Sequence, residues 1–248
     1  MADPEHLPNA PIEEAVIDVG AEFSEAVDQE NLAKLQDLLA GRYPQKQVKS
    51  AWESHVQLKA GGKPAAETSG GPVGYLFRSS DGKQIMQARR DGFSFSRLRP
   101  YQNWDSFSEE ARELWEKYSK LTKPKKVVRL GVRYINRMPL PLPFSDFSEY
   151  LLTAPGVAPG LPQSVANFFF RVVLPDEKAK ALIAIIETVD EAHSDQNRVS
   201  IILDIDVFRT GVFPVTSDNL WPLIQHLREI KNNVFFSSIT DKAKELFK

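Results

Sequence analysis

The stretch VVRLGVRYINRM, Val127 to Met138, alternates strictly between apolar and polar positions. Val128, Leu130, Val132 and Tyr134 fall on one side and Arg129, Arg133 and Arg137 on the other, with Gly131 and Ile135 between them. A period of two over this length predicts a β-strand with one buried face. Three arginines at i, i+4 and i+8 on the other face call for water or for carboxylates on adjacent strands, because side chains facing each other across a sheet interact. A fold that accepts this strand is a sheet with one covered face and one face that handles charge.

The flanking sequence supplies the rest of such a sheet. Ala15, Ile17, Val19, Ala21 and Phe23 alternate with Val16, Asp18, Gly20 and Glu22, giving a first strand with an acidic outer face. Asp28 or Asn31 can cap a helix with Leu32, Leu35, Leu38 and Leu39 on one stripe, stopped by Gly41. QVKSAWESHVQLKA reads as a strand, and AGGKPAAETSGGP after it as a loop at a hairpin tip, with Gly61 to Gly71 expected to be mobile. VGYLFRS and KQIMQARR join through Ser80-Asp81-Gly82, and Asp91-Gly92 turns the chain into FSFSRLRP. Ser106 and Glu109 form a capping box for a long helix with Phe107, Ala111, Leu114, Trp115 and Tyr118 on its apolar face, ended by Pro124.

Past the arginine strand, Ser145 can cap a short helix carrying Phe147, Tyr150 and Leu151, and Pro155 to Pro162 is a connection. NFFFRVVLP, KALIAIIETVD and RVSIILDIDVFR are three further strands. From about Asn219 a helix aligns Leu220, Ile224, Leu227 and Ile230, with Pro222 tolerated in its first turn, and Thr240 caps a last helix, DKAKELF. The order strand, helix, antiparallel strands, long helix thus occurs twice, over residues 1–124 and 125–248. The second half is one strand short unless Gly211 to Pro214 adds one. The expected fold is α+β: a large antiparallel sheet with helices on one face, internally duplicated in the manner of helix-grip or TATA-binding-protein-like folds, and folded as one compact unit.

Composition narrows the function classes. A net charge of −2 rules out polyanion binding by bulk charge, so any such site is a local patch. The absence of cysteine removes disulfides, thiol nucleophiles and thiolate metal sites, and it suits a reducing cytoplasm. The acidic, proline-bearing start MADPEHLPNAP is unlike a signal peptide, and the longest apolar runs are too short to span a bilayer. The expectation is a soluble, cytoplasmic protein. The four histidines, His6, His55, His193 and His226, have no ligand spacing, and AGGKP lacks the spacing of a phosphate loop. No catalytic residue, metal or cofactor is therefore expected, and a binding role is favoured over an enzymatic one.

PIEEAVIDV, DGFSFSRLRPY, LWEKY, LGVRYINR, LDIDVF and NNVFFSSITDKAKELF occur in this order along nearly the whole chain. In these segments the chain resembles a sporadically distributed prokaryotic family of proteins of about this length and of unknown function. The resemblance implies no activity, cofactor or site residue. It implies at most an association with mobile gene neighbourhoods such as defence or toxin-antitoxin loci.

Two surfaces are candidates for binding. Asp204 and Asp206 lie opposite the apolar Ile201, Leu203, Ile205 and Val207 on their strand. A D-x-D pair can hold a divalent cation, but a cross-strand partner set for Arg129, Arg133 and Arg137 is the favoured reading, with Asp18 and Glu22 serving from the first strand. Arg133 in particular is expected to be partly buried and bonded to one of these carboxylates. The second surface is Arg78, Arg89, Arg90, Arg97 and Arg99 interleaved with Tyr75, Phe93, Phe95 and Tyr101, a composition suited to single-stranded nucleic acid. Because Phe93 and Phe95 share parity with Arg97 and Arg99, a solvated or ion-paired strand end is the favoured reading there. Partner classes left open are another protein, a second copy of the chain and, less favoured, nucleic acid.

Overall fold

The computed structural model describes residues 7–39, 41–57, 65–153 and 156–248. Nine strands form one sheet: β1 (Ile12–Glu22), β2 (Gln45–Gln57), β3 (Ala65–Arg78), β4 (Gln84–Arg89), β5 (Gly92–Leu98), β6 (Lys126–Pro141), β7 (Phe169–Asp176), β8 (Ala181–Val189) and β9 (Arg198–Phe213). Their order across the sheet is β2-β3-β4-β5-β1-β6-β9-β8-β7, and every paired neighbour is antiparallel. The arginine strand β6 lies near the centre, between β1 and β9.

Helices cover one face. Between β1 and β2 run α1 (Gln29–Ala33) and α2 (Leu35–Leu39), after β5 comes α3 (Trp104–Thr122), and after β9 come α4 (Ser217–Ser238) and α5 (Asp241–Glu245). On β1 the residues facing them, Ala15, Ile17 and Val19, are fully buried. So are Phe93 and Phe95 of β5, Leu130 and Val132 of β6, and Leu203, Ile205 and Val207 of β9. The α3 stripe Ala111, Leu114, Trp115 and Tyr118 closes over this layer, with the Phe93 and Trp115 rings 5.9 Å apart. Trp221 Nε1 of α4 donates to the Ser108 carbonyl of α3 at 3.0 Å and ties the two long helices together. No helix among the described residues is long and apolar enough to cross a membrane.

Several local expectations are corrected. Ala65 to Gly71 is not loop: it extends β3, paired with β2 from Ala51↔Gly71 to Gln57↔Ala65, whereas Gly61 to Pro64 lie outside the described residues. The leucine helix is two short helices, with Leu38 54% exposed and Asp28 capping α1. Asn103, not Ser106, caps α3: its Oδ1 accepts from Ser106 N at 2.9 Å. Asp146, not Ser145, caps a single 3-10 turn at Phe147–Glu149. Gly211 to Phe213 prolong β9 and add no further strand. α4 starts at Ser217, so Pro222 stands beyond its first turn. In β6 a register shift between Val127 and Arg129 gives the buried position to Val127 and leaves Val128 half-buried.

Candidate functional site

The uncovered face of the sheet carries the predicted charges, and strand register brings most of them together. Asp18 of β1 stands opposite Gly131 of β6, which in turn stands opposite Phe208 of β9. Arg129, two residues back on β6, extends along the strand and lays its guanidinium over Gly131. A β-carbon there would lie 2.6 Å from Arg129 Nη1, which is why glycine is required. In that position Nη1 donates to Asp18 Oδ2 at 2.7 Å, Nη2 donates to Asp206 Oδ2 at 2.9 Å, and the guanidinium sits 4.6 Å from the Phe208 ring centroid. Arg89 of β4 reaches the other Asp18 oxygen at 2.9 Å and Asp91 at 3.0 Å. Arg133 is bidentate on Asp204, Nε to Oδ1 at 2.8 Å and Nη2 to Oδ2 at 2.5 Å. Arg137 bonds Asp190 at 2.9 Å and Glu13 at 3.1 Å, and Glu13 also holds Arg99 at 3.0 Å.

The result is a closed lattice in which Arg89, Arg129, Arg133 and Arg137 each meet at least one carboxylate. Arg129, with 29% of its side chain exposed, is a more enclosed hub than Arg133, at 45%. The hydrogen bond to Asp204 raises the Arg133 pKa against the opposing effect of burial. Asp206 behaves in the opposite sense: burial raises its pKa, Arg129 and Arg133 pull it down, and Asp18 and Asp204 push it up again. Two predicted members stand apart. Glu22 pairs only with Lys126, at 2.8 Å near the strand end, among the pairs formed by described residues. Arg97 is on the helix side opposite Ala15, with Nε enclosed and unpartnered. The aromatic residues interleaved with the first-half arginines do not form a surface, since Phe93 and Phe95 are core. Among the described residues, no group of three or more His, Asp or Glu side chains is placed to hold a metal ion.

A second site lies on the opposite side of the sheet. The buried stripe of α4 runs Leu220, Ile224, Leu227, Lys231, Phe235, so a lysine occupies a core slot where Ile230 was expected to continue the row. Lys231 is 7% exposed and lines a pocket of about 450 Å³ between α4, β6, the β5–α3 connection and the N-terminal segment. Its ammonium stands 3.5 Å from the centroid of the Tyr134 ring, and among the described residues it has no carboxylate or hydrogen-bond partner. Burial, assisted by nearby Arg228, lowers its pKa to about 7. Arg228 lies 5.5 Å from the Trp104 ring centroid, on the same wall. Tyr134 and Tyr101 share a hydroxyl–hydroxyl bond of 2.8 Å, and burial pushes Tyr101 up to about 12 and Tyr134 well above its usual range. The N-terminal segment at the mouth is held by Asn9 N donating to Phe247 O at 3.0 Å.

This arrangement offers positive charge, aromatic walls and hydroxyl donors, beside the exposed Asp105 carboxylate. The sequence signal was present: the spacing from Leu220 through Ile224 and Leu227 reaches Lys231, not Ile230, at the next core position. Compared with the known protein families and with curated proteins, the chain matches none.

Proposed function

We propose that the protein is a non-catalytic binding protein whose ligand occupies the pocket at Lys231, and that the arginine–carboxylate face is scaffold. One observation carries this reading: an amine in a core stripe, unpaired, beside an open pocket. A lysine in a core slot is rarely kept without a partner, because burial disfavours its charged form. Methionine would fill the same slot without that penalty. The closed lattice supports the other half of the reading, since its four arginines are engaged within the sheet. The tyrosine hydroxyls keep their protons at neutral pH, so they serve the pocket as hydrogen-bond donors for binding.

The same reading takes the fold as a duplication. In support, β1 and β6 are neighbours at the centre, β5-β4-β3 follow outward on one side and β9-β8-β7 on the other, and α3 and α4 each follow the inner strand. It also takes the chain as a cytoplasmic member of the prokaryotic family it resembles, for which the cysteine-free composition is suitable.

The test is a thermal-shift screen of small metabolites against the intact protein and an Asn232→Trp variant, whose side chain would fill the pocket. A ligand at about 100 times its Kd adds roughly 2.7 kcal/mol, a rise of several degrees in Tm. The rise is expected in the parent and not in the variant. Equal rises in both would place the ligand elsewhere and overturn the site, and conversion of the ligand to a product would overturn the non-catalytic assignment.

A further inference from the structure

We propose that the pocket takes a small aromatic monocarboxylate, with the carboxylate against Lys231 and Arg228 and the ring between the aromatic walls. The inference rests on the pocket being the binding site and adds the class of ligand. Lys231 and Arg228 are three residues apart on α4, so they project from neighbouring turns of one helix face into one cavity. Trp104, beneath Arg228, and Tyr134, beneath Lys231, supply flat apolar surfaces beside the two cations. A volume of about 450 Å³ suits a one- or two-ring molecule. Among the described residues the pocket wall presents one unpaired guanidinium and one unpaired amine, and the amine is largely neutral above about pH 7, which matches one negative charge better than two. The charged and titratable groups around the amine are Arg228 on α4, Tyr134 on β6, Arg99 and Tyr101 in the β5–α3 connection and Asp105 on α3. Arg99 is already engaged by Glu13, and Asp105 is exposed. Of these groups, Lys231 is the one whose protonation a buried carboxylate would change. Its amine is largely neutral at about pH 8, so binding there draws a proton from solvent.

The experiment is isothermal titration of the full chain with 2-naphthoate, its neutral isostere 2-naphthamide and 1-naphthyl phosphate, at about pH 8 in Tris and in HEPES. The two buffers differ in ionisation enthalpy, so the difference in heat counts protons. We expect 2-naphthoate to bind with uptake of close to one proton and the amide to bind at least about tenfold more weakly. Lys231→Met should lose at least about tenfold in naphthoate affinity and all proton uptake, while Lys231→Arg retains binding without uptake. Amide binding equal to naphthoate binding without proton uptake would overturn the anion assignment and leave the pocket reading standing. Tighter binding of the phosphate would overturn the monocarboxylate assignment alone. Absence of binding by all three would overturn the aromatic-anion assignment, and binding unaffected by Asn232→Trp would overturn the pocket reading as well.

Discussion

Arg129→Met tests whether the uncovered sheet face is held by its ion lattice. The substitution keeps much of the apolar stem but removes the bonds to Asp18 and Asp206, at 2.7 and 2.9 Å, and the contact with the Phe208 ring. Hydrogen bonds to charged groups contribute about 1.5–3 kcal/mol each, and a cation over a ring about 0.5–1 kcal/mol at exposed sites. Side chains at 24–29% exposure place the bonds at the low end of their range. Asp18 keeps Arg89, but Asp206 is left facing Asp18 and Asp204 with only Arg133 to offset them. The expected loss is about 3–4 kcal/mol, read as a Tm fall of roughly 6–16 °C for a chain of this size. Gly131→Ala should give part of the same loss by displacing the guanidinium, and little further loss in an Arg129→Met background. Denaturant unfolding of the two single variants and the double variant measures all three. An Arg129→Met protein of unchanged stability that has lost binding to a single-stranded oligonucleotide would refute the scaffold reading and restore the face as a basic site.

Other consequences follow from single groups. Arg133→Ala should cost about 1–2 kcal/mol because it strands the buried Asp204 carboxylate, whereas Asp206→Asn should change stability by less than about 1 kcal/mol, its amide oxygen still accepting from Arg129; equilibrium unfolding at neutral pH ranks the pair. The Lys231 amine titrates at about 7 when folded against 10.5 when free, so the unfolded chain holds the extra proton between those values and wild-type stability rises with pH through that window. At roughly 1.4 kcal/mol per unit the full drop is worth about 5 kcal/mol; Lys231→Met should therefore be the more stable protein below about pH 7, with a gap that narrows as pH rises, and a pH-independent gap would refute the assignment. Burial raises the pKa of Glu187, so wild-type stability falls as pH rises from the free carboxylate range through the folded value; Glu187→Gln should raise Tm at neutral pH and leave it unchanged in acid, by calorimetry at both.

The sheet was legible where side chains alternate, because period two is a property of the strand itself. Val127 to Met138 predicted both the strand and its need for carboxylates, and parity alone put Asp18, Asp204 and Asp206 on the matching face. Which arginine is the hub was not legible. That depends on Gly131 letting Arg129 run along its own strand and on the register that sets Asp18 and Phe208 opposite that glycine. Glycine also misled, since Ala65 to Gly71 has loop composition yet pairs with β2 over its whole length. The pocket was missed for a different reason. A charged residue in a helical stripe has the pattern of a stripe's end, and Ile230, one residue back, is the apolar alternative at that turn. The Tyr101–Tyr134 pair joins residues from a connection and a strand, a contact no periodicity encodes.

The most direct measurement is the titration of the Lys231 side chain by NMR, followed at its Cε and Nζ resonances in the free protein and with saturating 2-naphthoate. The amine should titrate at about 7 in the free protein and move upward by at least about two units when the anion is bound, since an opposite charge at contact favours the protonated form. An amine that titrates near 10.5 in the free protein and does not move with the ligand would contradict the account.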